Sequence, residues 1–222
     1  MLKKFIAKLS PNIQNEIKRF HFRRQIRKST FTTDEPEYLD LHNLIQINDW
    51  VIDVGANVGH YTNKFSQLVG KNGRVIAFEP VPHTFSHLSN NTLHCEHRNI
   101  SLINAAASDA TTIAHMSIPK FSTGLTNYYQ AHITPTDTLD CTPILTLSID
   151  DLNISKKISL IKIDAEGHEP NVVNGALSLI ERDKPTLILE TVNDLIRSKL
   201  SVLGYIEKHN PGSPNRVFEH TQ

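Results

Sequence analysis

Short apolar runs alternate with amphipathic segments along most of the chain. The runs at 51–54, 74–79 and 158–163 are almost continuously apolar and have the length of strands buried on both faces. Between them, apolar residues recur every three or four positions, as they do on the inner face of a helix. The alternation of the two patterns predicts an α/β fold, a mostly parallel sheet with helices on both faces.

The same pattern predicts the individual elements. Residues 113–145 interrupt it: 113–119 and 125–130 are interpreted as two short strands or as a loop-rich insertion, and we expect the region to shape the pocket of the acceptor. Outside this insertion, helices are predicted at 58–69, 82–93, 171–182 and 195–203. Strands are predicted there at 51–54, 74–79, 99–107, 158–163, 186–190, 205–209 and 216–220.

A glycine-rich turn follows the first predicted strand. Gly55 and Gly59 predict a tight turn into a helix whose first N–H groups are free to meet a ligand. Glu79 ends the next strand about twenty residues later, where an acid can accept hydrogen bonds from ribose hydroxyls. The order predicts a nucleoside-cofactor site. The turn lacks the G-x-G-x-x-G spacing of a dinucleotide site, and no Tyr-x-x-x-Lys pair follows the fourth strand, which disfavours a nicotinamide-dependent oxidoreductase.

Three segments carry a resemblance to a known family. D-V-G-A-N-V-G-H-Y-T at 53–62, A-F-E-P at 77–80 and I-K-I-D-A-E-G-H-E at 161–169 resemble, in this order and spacing, the FkbM-type family of S-adenosylmethionine-dependent methyltransferases. The likeness covers about residues 48–190. It implies a Rossmann-like class I methyltransferase sheet, S-adenosylmethionine as the cofactor, and a methyltransferase domain at 46–222 that follows an extension at 1–45.

The resemblance also implies roles for individual residues. The glycine turn would hold the methionine part of the cofactor, Glu79 its ribose, and the end of the third strand its adenine. Asp53 would orient the turn or accept from the cofactor ammonium, although a carboxylate there also caps backbone N–H groups. The implied cofactor-binding residues are Asp53, Gly55, Asn57, Gly59, Tyr61, Thr62, Glu79, Pro80, Asn104, Ala105, Ala106 and Asp164.

Polar residues that follow apolar strands supply the candidate catalytic groups. Open α/β sheets bind ligands at the carboxyl ends of their strands, and methylation of an alcohol is helped by a general base. The candidates are Asp164, Glu166, His168 and Glu190, with Asp164 favoured; His60 and Glu169 are weaker candidates, since Glu169 also suits a helix start. The three acids could instead hold a divalent cation. Nothing in the sequence sets their geometry, so no metal is predicted.

Charge is balanced overall but unevenly distributed. The chain has 23 basic and 23 acidic residues, yet residues 1–28 hold nine Lys/Arg and one Glu, a net charge of +8. Apolar residues recur there at helical spacing. This basic helical extension is interpreted as a segment packed on the domain with a solvated face, as a contact for an anionic membrane or polyanion, or as a mitochondrial targeting peptide.

The sequence thus predicts an enzyme that methylates a hydroxyl on a sugar, glycan or related metabolite. The alternatives are the nicotinamide-dependent oxidoreductase and a non-catalytic nucleoside-binding module. Nucleic acid is not an expected partner, because the basic residues are confined to one segment. Two cysteines without metal spacing fit a reducing compartment, so we expect a cytoplasmic protein, with peripheral membrane contact as a use for residues 1–28.

Overall fold

The computed structural model of the protein describes residues 10–119, 127–134, 141–209 and 212–221. The N-terminal part of the basic extension, residues 1–9, and the first two residues of the strand predicted at 125–130 lie outside these ranges. In chain order the helices and strands are α1 (Pro11–Arg27), α2 (Pro36–Leu44), β1 (Trp50–Val54), α3 (His60–Val69), β2 (Arg74–Phe78), α4 (Pro82–Thr92), β3 (Ile100–Ile103), β4 (Ala106–Ala107), β5 (Thr112–Ser117), β6 (His132–Thr134), β7 (Cys141–Leu147), β8 (Ile158–Ile163), α5 (Glu169–Asn174), α6 (Leu177–Asp183), β9 (Thr186–Leu189), α7 (Asp194–Val202), β10 (Tyr205–His209) and β11 (Arg216–His220), with 3₁₀ helices at Tyr128–Gln130 and Asp150–Leu152.

The predicted sheet is confirmed. Seven strands form it in the order β10-β11-β9-β8-β1-β2-β3. The pairs from β9 to β3 are all parallel, and β11 is antiparallel to both of its neighbours. A second sheet, in the order β4-β7-β5-β6, is formed mostly by the predicted insertion. It lies beyond the end of β3 in the chain and supplies one wall of the site described below.

Alternate residues of the central strands face two separate cores. Ile52 and Val54 pack with residues of α5, α6 and α7, such as Ile180. Val51 lies in the other core with residues of α2 and α3, such as Phe65. Because both faces of the sheet are covered, the central strands are apolar at nearly every position, which is the pattern that the sequence showed.

Two predicted elements were wrong because each is broken by a contact with a residue that is distant in the sequence. The strand predicted at 99–107 is two strands in different sheets. It breaks at Asn104, whose side-chain amide donates to the carbonyl oxygens of Glu79 and Pro80 at 2.8 and 3.1 Å. The helix predicted at 171–182 is α5 and α6, separated at Gly175. A Cβ there would stand 1.8 Å from the carbonyl oxygen of Ser108, so only glycine permits this approach.

The end of the predicted insertion also differs from expectation. Where a strand was predicted at 125–130, residues 128–130 form a 3₁₀ helix and the strand β6 follows at 132–134. The helix is held by the amide of Asn127, whose side chain donates to Gln130 at 2.8 Å. The strand predicted at 113–119 is confirmed as β5.

The extension preceding β1 packs against the sheet's helices. Phe22 of α1 meets the rings of Phe31 and His87 with centroid distances of 5.7 and 5.9 Å. Tyr38 of α2 meets Tyr61 of α3 edge-on at 5.0 Å. Among the described residues, no helix is both long and apolar enough to cross a bilayer.

Asn99 ties α3 to the start of β3. Its amide donates to the carbonyl oxygens of Ser66 and Gly70 at 3.0 and 2.8 Å, and its carbonyl accepts from the Ser66 hydroxyl at 2.6 Å. We expect Asn99→Ala to lower the free energy of unfolding in urea by about 2–4 kcal/mol, because it leaves buried groups unpaired. Asn43→Ala, at an exposed helical position, should change it by less than about 0.5 kcal/mol. A similar small change for both variants would contradict this assignment.

Candidate active site

Five parallel strands end in one row, and the next residue of each faces the same edge. Val54 is paired with both Phe78 and Ile163, and the pairing continues outward on each side. The backbone N–H of Asp164 donates to the carbonyl of Val54 at 3.1 Å, and that of Glu190 donates to Ile163 at 3.1 Å. The residues that follow the five strands are Gly55, Glu79, Asn104, Asp164 and Glu190.

A cavity of about 570 Å³ opens at this edge. Its volume is in the range of small-molecule and cofactor sites. Of the fifteen residues in the cofactor-binding set and the main catalytic set, eleven line it: Asp53, Gly55, Asn57, Tyr61, Glu79, Pro80, Ala106, Asp164, Glu166, His168 and Glu190. Of the two weaker candidates, His60 lines it and Glu169 does not.

The other four predicted residues lie behind the lining. Thr62 donates its hydroxyl to Asp53 at 2.6 Å. Gly59 precedes α3 with a φ of 99°, a left-handed conformation that suits glycine. Asn104 holds the backbone of 79–80 through its side chain, and Ala105 is fully buried. These residues support the walls of the cavity rather than forming its surface.

The glycine turn is pressed against the end of β8. Gly55 has a φ of 74°, and a Cβ on it would stand 1.8 Å from the carbonyl oxygen of Asp164. Asn57 also has a positive φ of 51°, one of the conformations that cluster at functional sites. Its backbone N–H points toward Glu79 and donates to Oε2 at 2.9 Å. The turn therefore contacts both Asp164, at the end of β8, and Glu79, at the end of β2.

Glu79 is buried and holds two backbone N–H groups. Its Oε1 accepts from Val81 at 2.9 Å, while its Oε2 accepts from Asn57. Burial raises the pKa of Glu79 to about 7, against the opposing effect of these two hydrogen bonds. Each carboxylate oxygen can accept a further bond from a ligand in the cavity. This arrangement fits the ribose-binding role that the sequence predicted.

Asp53 carries an unpaired oxygen into the same region. It is fully buried, its Oδ2 accepts from Thr62, and its Oδ1 has no hydrogen-bond partner among the residues that the structure describes. Burial raises the pKa of Asp53, and Lys162 opposes that rise. A buried acceptor without a partner is costly, and a cationic ligand group would satisfy it.

Lys162 is a buried cation among these acids. Its ammonium lies 3.0 Å from Oδ2 of Asp164 and 4.6 Å from the ring centroid of Tyr61. Burial alone would lower the pKa of Lys162, but Asp164 and Asp53 outweigh it and the pKa is raised. Lys162 therefore stays charged and compensates the acids around it.

Asp164 and Glu190 form a hydrogen-bonded carboxyl pair. The bond to Asp164, followed by burial, raises the pKa of Glu190 to about 8. Burial would raise the pKa of Asp164 as well, but Lys162 and the bond from Glu190 together lower it. The opposite directions of the two shifts favour Glu190 as the proton-bearing member of the pair and Asp164 as the ionised one.

Glu166 and His168 complete the polar side of the cavity. Glu166 is exposed, has a φ of 50°, and brings a carboxylate oxygen within 4.8 Å of oxygens of Asp164 and Glu190. Three such oxygens can hold a divalent cation, although exposed acids often cluster without one. His168 Nε2 lies 2.9 Å from the Ser108 hydroxyl, and burial lowers the pKa of His168.

Sequence analysis missed two parts of the lining. One is Lys162, which could have been noticed because it is a charged residue within an otherwise apolar strand. The other is the segment 32–35, which comes from the extension and lines the cavity. The Tyr61 hydroxyl donates to Glu35 at 2.5 Å, which joins this segment to α3. The expected contribution of the insertion is present, since Met116, Tyr128, Ala131, His132 and Ile133 line the cavity.

Removing the buried cation should destabilise the protein in a pH-dependent way. We expect Lys162→Met to lower the free energy of unfolding by about 2–4 kcal/mol at pH 8, less than for a fully buried pair because the Asp164 side chain is 35% exposed. Without Lys162 the pKa values of Asp164 and Asp53 rise, so the folded state gains protons more readily than the unfolded state. The deficit relative to wild type should therefore shrink as the pH falls toward about 4.

The control for this variant is Lys208→Met, which breaks an exposed ion pair with Glu219. It should cost less than about 1 kcal/mol. Urea unfolding measured between pH 4 and 8 checks both. A deficit in Lys162→Met that stays constant over this range would contradict the assignment.

Comparison with known proteins places the chain in a family. A sequence model described as the methyltransferase FkbM domain matches residues 53–209. Among solved structures, methyltransferase FkbM from Methylobacillus flagellatus KT is 20% identical with a TM-score of 0.53, covering 84% of this chain and 50% of that one. The chain thus spans about half the length of that relative.

Two further structures are more distant. A precorrin-6y C5,15-methyltransferase from Geobacter metallireducens GS-15 is 16% identical with a TM-score of 0.48 and covers 84% of this chain and 87% of its own. A SAM-dependent methyltransferase from Aquifex aeolicus is 14% identical with a TM-score of 0.47 and covers 89% and 97%. No curated protein matches the sequence. The fold is the Rossmann-like class I methyltransferase fold, with S-adenosylmethionine as its cofactor. Since the family match covers well over half of the chain, the protein belongs to the FkbM methyltransferase family.

Proposed function

We propose that the protein transfers a methyl group from S-adenosylmethionine to a hydroxyl oxygen of a sugar, a glycan or a related small metabolite. The observation that carries the proposal is the charge of the cavity. Seven carboxylic acids line it, and Lys162 is the one lysine or arginine in the described lining.

An acidic cavity suits a cationic cofactor. S-adenosylmethionine carries a positive sulfonium and a positive ammonium, and both gain from nearby carboxylates. A nicotinamide dinucleotide would instead bring two phosphates, which the same carboxylates repel. The charge therefore supports methyl transfer over the oxidoreductase alternative, and it agrees with the turn's lack of a dinucleotide spacing. The acidic charge of the cavity also disfavours a nucleic acid as the methyl acceptor, because the carboxylates would repel its phosphates.

The residues present fit the cofactor in three places. Glu79 has free acceptor capacity for ribose hydroxyls, and the unpaired Oδ1 of Asp53 can accept from the ammonium. Ala106, a small residue of the second sheet, leaves room for a flat base beside Pro80. When bound, the cofactor supplies an electrophilic methyl group whose bond to sulfur breaks with both electrons remaining on sulfur.

The Asp164–Glu190 pair is the proposed proton acceptor. An acceptor hydroxyl must lose its proton as its oxygen bonds to the methyl carbon. With both carboxyls ionised, the pair takes up its first proton near pH 8, which makes it a stronger base than an isolated carboxylate. Lys162 favours the ionised form of Asp164. Within the pair, Glu190 therefore receives the proton and Asp164 carries the negative charge.

The second sheet offers the wall for the acceptor. Tyr128 and His132 face the cavity from one side and His168 from another. Tyr128 is stacked on His83 with a centroid distance of 4.4 Å, so its ring is held in one orientation. A fixed aromatic ring beside histidines and carboxylates suits a ligand with several hydroxyls. This supports a sugar-like acceptor.

The cofactor assignment can be tested by thermal unfolding. S-adenosylmethionine and its demethylated product should raise the melting temperature of the protein, whereas nicotinamide dinucleotides should not. Glu79→Ala should weaken cofactor binding about 10–100-fold in calorimetry, because it removes a charged acceptor of hydrogen bonds.

Two controls accompany this test. Glu79→Gln keeps the size of the side chain and should also weaken binding, while Glu181→Gln, at an exposed position of α6, should not. Unchanged affinity in a folded Glu79→Ala protein would remove Glu79 from the cofactor site.

The base assignment can be tested by the pH dependence of turnover, once an acceptor has been found by screening hydroxylated compounds with labelled cofactor. In the wild type, turnover should rise with pH to a plateau, with a midpoint below the ligand-free pKa of about 8, because the bound cationic cofactor favours the ionised pair. Asp164→Asn and Glu190→Gln should each lower turnover about 10²–10⁴-fold. In Asp164→Asn the rise of turnover with pH should occur at a lower pH than in the wild type, because Glu190 then loses the partner that raises its pKa.

Other outcomes identify other mechanisms. If both variants keep near-wild-type turnover while His168→Ala is inactive, the base is misassigned. If a chelator abolishes activity of the wild type, the three acids act through a cation instead. If cofactor binds but no acceptor is turned over, the non-catalytic binding module becomes the better description.

A further inference from the structure

The helix α1 has two faces of different character. Asn15, Phe22 and Ile26 recur at the spacing of one helical face and are partly buried against the domain. Asn15 accepts through Oδ1 from Nε2 of His83 at 2.9 Å, and Phe22 packs on Phe31 and His87. These contacts fix the rotation of the helix on the domain.

The opposite face presents an apolar stripe to solvent. Ile13, Ile17 and Phe20 follow each other at intervals of four and three residues, which places them side by side. Ile13 is 50% and Phe20 69% exposed. Because the inner face is already packed, the helix cannot rotate to bury this stripe against its own domain. An exposed apolar stripe on a docked helix marks an interaction surface.

Cations surround the stripe. Residues 10–30 contain six lysines and arginines and one acid, Glu16, which pairs with Arg19 at 2.8 Å. Arg23, Arg24 and Arg27 are exposed, and Arg24 continues the stripe one turn beyond Phe20. An apolar stripe bordered by arginines is the pattern of a helix that lies in the interface of a bilayer.

We propose that α1 docks on an anionic lipid surface, with Ile13, Ile17 and Phe20 entering the acyl boundary and the arginines meeting lipid phosphates. The charge complements anionic headgroups, and the stripe distinguishes a bilayer from a soluble polyanion, which would need the cations alone. A second copy of the chain is disfavoured as the occupant, because it would bring the same positive charge against itself.

Docking would also bring the cavity close to the lipid. The chain leaves α1 at Arg27 and reaches residues 32–35, which line the cavity, within a few positions. A second connection is made by side chains: Asn15 hydrogen bonds to His83, and His83 stacks on Tyr128 in the cavity wall. Docking of α1 would therefore hold the domain that carries the cavity at the lipid surface.

Vesicle sedimentation with the full chain tests the proposal. Wild type should bind phosphatidylcholine vesicles containing phosphatidylserine and bind pure phosphatidylcholine vesicles weakly, and its binding should fall as salt rises. The variant Ile13→Gln/Ile17→Gln/Phe20→Gln should bind the anionic vesicles at least tenfold more weakly, and Arg24→Gln/Arg27→Gln about 10–30-fold more weakly.

The matched control removes exposed apolar residues elsewhere. Leu195→Gln/Val202→Gln changes the exposed side of α7, where Val202 is 87% exposed, and should leave vesicle binding unchanged. All variants should keep the wild-type melting temperature, since none of these side chains is buried.

Three results would overturn the proposal. One is equal vesicle binding by wild type and the stripe variant. Another is sedimentation equilibrium that shows a wild-type dimer and a monomeric stripe variant with no difference in vesicle binding, which would make the stripe a dimer contact. The third is binding to a soluble sulfated polysaccharide that depends on Arg24 and Arg27 while neither variant affects vesicles.

Discussion

The site depends on the attraction between the buried ammonium of Lys162 and the carboxylates around it. The strand register brings the ends of β1, β2, β8 and β9 to one edge, and with them several carboxylates that are removed from water. Such a cluster is unfavourable unless opposite charge is present. Lys162 lies within the apolar strand β8, 3.0 Å from Asp164 and over the ring of Tyr61, and supplies that charge.

The N-terminal extension is joined to the same network. Tyr61 connects the ring beneath Lys162 to Glu35, and Asn215 near the last strand donates to Glu35 at 3.0 Å. Residues 32–35 therefore belong to the cavity wall although they precede the first strand. On its other side, α1 packs through Phe22 on α4, the helix that follows Glu79. The extension thus contacts the elements that carry the predicted cofactor-binding residues.

Sequence reasoning succeeded where local pattern and fold agree. The strand 158–163 was predicted with its observed bounds because a strand buried on both faces must be apolar, and Asp164 and Glu190 followed as the residues after such strands. It failed where a distant contact decides the outcome. Asn104 ends β3 by bonding to the backbone of 79–80, and Gly175 separates α5 from α6 because it meets Ser108. Residues 32–35 carry no pattern that predicts their place in the cavity.

The charge arrangement couples cofactor binding to the readiness of the base. Without a ligand, the hydrogen bond to Asp164, burial and repulsion by Asp164 raise the pKa of Glu190 to about 8. A cation bound in the cavity favours the ionised form of nearby carboxyls and so lowers the pKa of the pair. By linkage, the same interaction makes the ionised pair bind the cationic cofactor more tightly. In the proposed reaction, loss of the sulfonium charge would restore the affinity of the pair for the proton taken from the acceptor. The acids at the strand ends therefore favour the charged cofactor over its neutral product, which is the direction that product release requires.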